Sequence, residues 1–112
     1  MLKFMVVICK RTDMSTEEFE KYLRNVHGPL AKKLPGLRRY VQNFAQEDPV
    51  RKRPAWDAIV ELYFDDWASM EEAWATPQGA ASDGDLPEFV DLSRSSWAVV
   101  EEVVVSIPIQ KT

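Results

Sequence analysis

The arrangement of apolar residues along the chain predicts four strands. Apart from Lys3, the run Leu2–Cys9 is apolar at its odd and its even positions alike, which is typical of a strand covered on both faces. In the segment 55–64 every even position is apolar and the odd positions include two acids, so one face of this strand should be buried. Two further strands are predicted at 37–44 and 97–107, and Trp97 is expected in the core or in an interface.

Helical spacing follows the first strand. Ser15 and Glu18 have the spacing of a capping box, which predicts that a helix begins there. Apolar residues then recur at helical intervals and form one stripe, which consists of Phe19, Tyr22, Leu23, Val26 and Leu30. Gly28-Pro29 should end or kink this helix.

The second helical region is predicted in two parts. Asp65-Asp66 should cap a helix whose buried side includes Trp67, Met70 and Trp74. Thr76-Pro77 should then start a new short helix, because proline is favoured in the first turn. The small and polar residues that follow, at 79–87, predict an irregular stretch.

The predicted order is β-α-β-β-α-β, which is the split βαβ pattern of ferredoxin-like α+β folds. Such a fold has a four-stranded antiparallel sheet with both helices on one face. We expect a single domain over 1–112, because the chain has no repeats and no low-complexity tract. Apolar residues of the first and last strands remain on the other sheet face, and pairing with a second copy would bury them. We therefore expect a homodimer.

Charge and cysteine content narrow the choice of partner and compartment. The net charge is −4, and the basic clusters are short and interleaved with acids, so nucleic-acid binding is not expected. The opening apolar run is too short for a signal sequence or a membrane span, and no other segment approaches that length. The lone Cys9 lies in an apolar run and suggests a core thiol in a reducing compartment. These features predict a cytoplasmic protein that does not associate with membranes.

His27 is the only histidine and the only side chain whose ordinary pKa lies near neutrality. It falls at the edge of the apolar stripe on the first helix, where an imidazole can face a cleft between helix and sheet. The alternative is a structural histidine that bonds the last carbonyls of the helix. The sequence leaves both interpretations open.

Acidic residues on the strands are the next candidates. Asp57 and Glu61 share one strand face and should lie about 13 Å apart, too far to share a proton. Each could contact one ligand separately, or pair with a cation on an exposed face. Glu101 and Glu102 point to opposite faces, so the one that faces the interior or a partner chain needs a cation or a raised pKa.

Tyr40 and Asn43 could contact a ligand, but they have opposite parity on one strand. Only a bulge would aim both at one pocket. One histidine and one cysteine cannot form a structural zinc site, and no phosphate-binding or dinucleotide-binding glycine motif is present. We therefore expect no metal and no cofactor, and any reaction would proceed by proton transfer or cofactor-free oxygen chemistry.

Four blocks of the sequence resemble the EthD family, in the same order. They are MSTEEF with YLRNVHGPL within 14–30, LPGLRRYVQN at 34–43, WD with ELYFD within 56–65, and EEVVV at 101–105. Leu23 stands where the family often has tryptophan, so if that position lines the pocket the substrate should differ.

The resemblance implies a dimeric α+β barrel, a fold shared with cofactor-free isomerases, polyketide cyclases and monooxygenases. Our leading hypothesis is an isomerase-type or cyclase-type catabolic enzyme that binds a cyclic or aromatic small molecule. His27 would be the general acid or base, assisted by Asp57 or Glu61. Substrate contacts would come from Tyr40, Asn43 and Leu23. The alternatives are a non-catalytic binding or accessory protein of a degradation pathway, and a cofactor-independent monooxygenase.

Overall fold

The computed structural model describes residues 1–109, and the last three residues of the predicted domain lie outside that part. Its strands and helices are β1 Leu2–Ile8, α1 Thr16–Tyr22, α2 Gly28–Ala31, β2 Arg39–Phe44, β3 Ala58–Phe64, α3 Trp67–Trp74, α4 Pro77–Asp85 and β4 Ser96–Glu101. A π-helical turn at Leu23–His27 joins α1 to α2, and a short 3₁₀ turn at Leu86–Glu88 follows α4. We call the π-helical segment the wide turn. None of the helices in the described part is long and apolar enough to cross a membrane.

The four strands form one antiparallel sheet in the order β2-β3-β1-β4. This is the predicted α+β fold of ferredoxin-like type, and the prediction is confirmed. The two inner strands, β1 and β3, pair along their whole length, with Val6 opposite Val60. The ladder between β2 and β3 advances one residue at a time on both strands, so β2 contains no bulge.

The last strand is shorter than predicted. It ends at Glu101 rather than at Ile107, because Glu101 lies opposite Leu2 and β1 begins at Leu2. Residues 102–109, which we call the tail, run past the start of β1 and have no neighbouring strand with which to pair. Their apolar side chains are largely exposed, with Val104 83% accessible.

The first helix begins as the sequence predicts. The Ser15 hydroxyl accepts a hydrogen bond from the Glu18 amide at 3.0 Å, and the Glu18 carboxylate accepts one from the Ser15 amide at 3.3 Å. Both halves of the capping box are therefore present, which satisfies two amides that the helix itself cannot bond.

Gly28 does not end this helix. Its amide donates to the carbonyl of Leu23, five residues earlier, and the chain remains helical to Ala31. A π-helical turn holds more residues than an α-helical one, so each residue turns through a smaller angle, and Val26 falls off the face that Leu23 and His27 share. His27 is accordingly buried, whereas Val26, which the α-helical stripe placed inside, is 45% exposed.

The stretch 79–87, predicted to be irregular, is mostly helical because α4 continues to Asp85. Thr76 caps it: its hydroxyl accepts from the Gly79 amide at 3.1 Å. Gly79 is required at this position because any Cβ would collide with the carbonyl of Ala73 at the end of α3. The tight junction keeps the start of α4 close to the end of α3.

The two faces of the sheet differ in character. The face beneath the helices contributes Ile8, Val60, Leu62 and Phe64 to the hydrophobic core. We call the opposite surface the free face. By strand alternation and register it carries Lys3, Met5, Val7, Arg39, Val41, Asn43, Ile59, Glu61, Tyr63, Ala98 and Val100.

Candidate functional site

A cavity of about 780 Å³ lies between the helix-covered face of the sheet and the helices. Its walls are mainly apolar, and the strands contribute Phe4, Val6, Val60, Leu62 and Val99. Aromatic rings form one side: Phe4 meets Trp74 edge to face at 5.3 Å and stacks on Trp97 at 5.7 Å. A volume of this size is typical of a small-molecule site.

His27 lines this cavity and makes a specific side-chain contact there. Its Nδ1 lies 3.0 Å from Oδ2 of Asp85, the last residue of α4. The Tyr22 hydroxyl donates to the other oxygen of Asp85 at 2.7 Å. Each carboxylate oxygen of Asp85 thus has one partner on the first helical segment. His27 bonds a carboxylate rather than the last helix carbonyls, because the helix continues beyond it.

Burial and the Asp85 carboxylate act on His27 in opposite directions. Burial lowers the pKa of His27 below its ordinary value of 6.5, and the hydrogen bond to Asp85 only partly offsets this effect. The imidazole is therefore neutral near pH 7. An ionised carboxylate only accepts hydrogen bonds, so Nδ1 carries the hydrogen and Nε2 keeps a lone pair. Nε2 is then the ring nitrogen that a molecule in the cavity could meet.

Tyr22 and Phe89 hold this pair in place. Burial and the neighbouring Asp85 raise the pKa of Tyr22 to about 12, so its hydroxyl stays protonated and continues to donate. The Phe89 ring is fully buried and packs against both Tyr22, at 5.0 Å, and His27, at 4.9 Å. These rings restrict the imidazole and keep the pair in surroundings of low dielectric.

Tyr40 supplies a second polar group on the cavity wall. Its hydroxyl accepts a hydrogen bond from Gln42 at 2.9 Å, and the same amide nitrogen donates to the Leu23 carbonyl at 3.0 Å. Burial raises the pKa of Tyr40, so the hydroxyl is protonated and has its own hydrogen to offer. Gln42 thereby links the phenol to the wide turn that carries His27.

The acids predicted to assist His27 do not lie in this cavity. Glu61 is on the free face, where Lys3 Nζ contacts it at 2.6 Å and Asn43 donates to it at 2.9 Å. Asp57 precedes β3 and accepts from the Lys10 amide at 2.8 Å. The prediction that these two carboxylates share a site with His27 was therefore wrong in placement. Strand parity directs Glu61 away from the helices, and Asp57 fixes the loop after β1.

Two predicted substrate contacts are also displaced. Asn43 lies on the free face, because β2 lacks the bulge that would aim both Tyr40 and Asn43 inward. Leu23 is fully buried in the core and does not line the cavity. Residue 23 therefore contributes to core packing rather than to the cavity wall.

Two other expectations have mixed outcomes. The expected cation appears at Glu102, which contacts Lys3 Nζ at 2.9 Å and receives a hydrogen bond from Tyr63. Trp97, expected in the core or in an interface, is 68% exposed at the cavity mouth of the single chain, so it does not belong to the core. It lies on the outer strand β4, where only Phe4 stacks on it.

Sequence reasoning missed Asp85. It lies in the stretch predicted to be irregular, among other acids, and 58 residues from its partner. The only local signal was Thr76-Pro77, which predicts a helix start but says nothing about its length. Among residues 1–109, no group of three or more His, Cys, Asp or Glu side chains is arranged to hold a metal ion.

Comparison with protein-family models matches residues 11–93 to the EthD domain. The chain therefore belongs to the EthD family. A search of curated proteins found no match.

Several solved structures share the fold. An EthD family protein of Bacillus halodurans is 25% identical, with a TM-score of 0.78 over 92% of this chain and all of the other. A dimeric protein of unknown function with a ferredoxin-like fold from Bacteroides fragilis is 17% identical, with a TM-score of 0.65 over 90% and 95% of the two chains. The cofactor-independent oxygenase SnoaB of Streptomyces nogalater is 13% identical, with a TM-score of 0.64 over 93% and 94%.

Proposed function

We propose that this protein is a cofactor-free enzyme of small-molecule metabolism that moves a proton within a cyclic or aromatic substrate, as an isomerase or cyclase does. The observation that carries the proposal is the contact between His27 and Asp85 at the wall of the cavity. A buried, neutral imidazole whose second nitrogen is fixed by a carboxylate has the properties of a general base.

The proposed reaction has two proton transfers. Nε2 of His27 takes a proton from an activated C–H or O–H of the substrate, and the imidazole becomes a cation. Asp85 stabilises that cation through Nδ1, while the Tyr40 hydroxyl donates a hydrogen bond to an oxygen on which negative charge develops. His27 then returns the proton to a different substrate atom, so no proton is gained or lost overall.

The test uses a probe with a weakly acidic C–H bond next to a ketone in a two-ring molecule. Exchange of the α-hydrogens of 2-tetralone for deuterium in D₂O, followed by proton NMR, reports proton abstraction directly. The protein should accelerate this exchange, and His27→Asn should reduce the acceleration by about 10²–10⁴. Asp85→Asn should also reduce it strongly, because an amide can donate to Nδ1 and so favour the tautomer in which Nε2 carries the hydrogen and cannot act as a base.

The matched control for Asp85→Asn is Glu72→Gln. It also replaces a carboxylate with an amide, at an exposed site on α3 that does not line the cavity. It should leave the exchange rate unchanged. Exchange that persists in folded His27→Asn protein would contradict the proposal. If the wild-type protein does not accelerate exchange at all, a binding protein is the better description, since a cavity can hold a ligand without a base.

We also propose that the protein is a homodimer joined through the free face. Met5, Val41 and Ile59 are only half-buried there in one copy. The charged groups on this surface largely compensate one another, since Lys3 contacts both Glu61 and Glu102 and Arg39 lies over the Tyr63 ring. A surface that is apolar and internally neutralised favours association with its own copy.

The tail supports the same assembly. Its apolar residues extend past the sheet of their own chain, with Val103 and Val105 about three quarters exposed, at 75% and 76%. In a two-fold dimer each tail would reach the sheet of the partner. Analytical ultracentrifugation at micromolar concentration should give twice the 12.9 kDa chain mass. Truncation after Glu102 should weaken the dimer, and a full-length monomer across that range would contradict the proposal.

A further inference from the structure

The charged residues around the cavity are all acidic among the residues described. No lysine or arginine of the described chain lines it, whereas Glu71 on α3 and Asp83 on α4 lie along its edge. Among the lining residues that the structure describes, the one basic side chain is His27, whose pKa burial lowers, so it is neutral near pH 7. The polar groups inside are the neutral hydroxyls of Tyr40 and Ser82.

An anion would be poorly accommodated in such a place. A carboxylate loses its hydration when it enters an apolar cavity, and the loss is offset only where a cation or several hydrogen-bond donors replace the water. The part of the wall formed by residues 1–109 offers no cation, and the negative charges of Glu71 and Asp83 would repel an anion on its way in. An uncharged molecule has no charge hydration to lose and is not repelled by the two carboxylates.

The aromatic side of the cavity favours a ring. Phe4, Trp74 and Trp97 present flat surfaces within a short distance of one another, with the Phe4 and Trp97 planes only 17° apart. Trp97 and Trp67 lie at the mouth, and both are more than half exposed. A planar ligand can stack on these rings while an oxygen on its edge reaches the Tyr40 hydroxyl or His27.

We propose that the cavity selects uncharged, planar, ring-containing molecules with a hydroxyl or carbonyl oxygen and excludes carboxylates of the same shape. This inference rests on the proposed function, because it specifies the class of substrate on which His27 acts. Discrimination resides in the acidic edge at Glu71 and Asp83 and in the cation-free wall, not in His27.

The test compares two probes with the same two-ring skeleton, 2-naphthol, which is uncharged at pH 7, and 2-naphthoate, which is anionic. Isothermal titration calorimetry should show the naphthoate binding at least about tenfold more weakly. Glu71→Lys should narrow that ratio, because it places a cation at the edge of the cavity. Glu72→Lys, one residue along the same helix and outside the cavity lining, should leave the ratio unchanged.

The result separates this inference from the proposed function. Equal binding of the two probes, no binding of either, or equal effects of Glu71→Lys and Glu72→Lys would overturn the inference, whatever the exchange assay shows. His27→Asn should retain the preference for 2-naphthol while it loses 2-tetralone exchange. If the preference holds but His27→Asn still catalyses exchange, the assignment of the base fails and the substrate class stands.

Discussion

His27 and Asp85 lie 58 residues apart in the chain, yet their side chains meet with 3.0 Å between imidazole Nδ1 and carboxylate Oδ2. One belongs to the wide turn after α1 and the other ends α4. The contact therefore depends on the packing of two separate helical segments. It fixes one tautomer of the only histidine in the chain.

The first prediction concerns the protonation of that histidine. Because burial lowers the pKa of His27, its imidazole signals in a proton–carbon NMR titration should reach their midpoint below pH 6.5. Asp85→Asn should lower the midpoint further, since the carboxylate is the group that raises it. Glu72→Gln should not move it. A midpoint at or above 6.5 would mean that the imidazole is not buried as described.

The same shift makes stability depend on pH. The unfolded chain binds the His27 proton more readily than the folded one, so the free energy of unfolding should fall as the pH drops through about 6.5. Above about pH 6.5 the histidine is mostly neutral in both the folded and the unfolded chain, so this loss of stability is absent. Urea unfolding at a series of pH values should show this slope in the wild type. Near pH 6 the free energy of unfolding of His27→Asn should depend clearly less on pH than that of the wild type. Identical slopes for the two proteins would contradict the lowered pKa of His27.

A second pH dependence should come from the cluster at Lys3. The Lys3 ammonium group lowers the pKa of Glu61, and Asn43 adds to this effect. The stabilising contribution of Glu61 is therefore complete above its ordinary pKa of 4.5 and is lost as the pH falls through the lower folded value. Glu61→Gln should reduce stability at pH 7, and its difference from the wild type should shrink in acid. A difference that stays constant between neutral and acid pH would contradict this account.

Trp97 should matter more for binding than for folding. Its ring is 68% exposed, so Trp97→Ala should cost less than the about 3–5 kcal/mol expected for a buried tryptophan. Thermal unfolding should show a small change, whereas calorimetry with 2-naphthol should show weaker binding because the Phe4 stack is incomplete. A large loss of stability with unchanged binding would assign Trp97 to the core or to the dimer interface instead.

The fold could be predicted from the sequence because its signals are local. Capping at Ser15, alternation along β3 and the order of elements all depend on neighbours within a few residues. The end of β4 could not be predicted in this way. Its sequence remains strand-like to Ile107, but the strand stops where β1 offers no further backbone groups, which is a property of register.

The site was only partly predictable for a related reason. His27 was identified by its chemistry. If the whole segment were α-helical, however, His27 would lie at the edge of the apolar stripe and Val26 would be buried. The wide turn reverses those two positions, and nothing in the local sequence marks it. Asp85 was missed because its role comes entirely from a distant partner. Asp57 and Glu61 were predicted to assist His27 but lie elsewhere. Strand alternation shows which residues share a sheet face, but it does not show which of the two faces borders the cavity.

The overhanging tail has a consequence for how the chain avoids aggregation. β4 is an outer strand, and Val103-Val104-Val105 follow it largely exposed to solvent, which is the kind of segment that promotes edge-to-edge aggregation. The run directly follows Glu101-Glu102, and Pro108 stands three residues beyond its end. Negative charge and a residue without an amide hydrogen both oppose indefinite strand addition. These flanking residues act as gatekeepers, and their replacement by apolar residues should convert a limited association into precipitation.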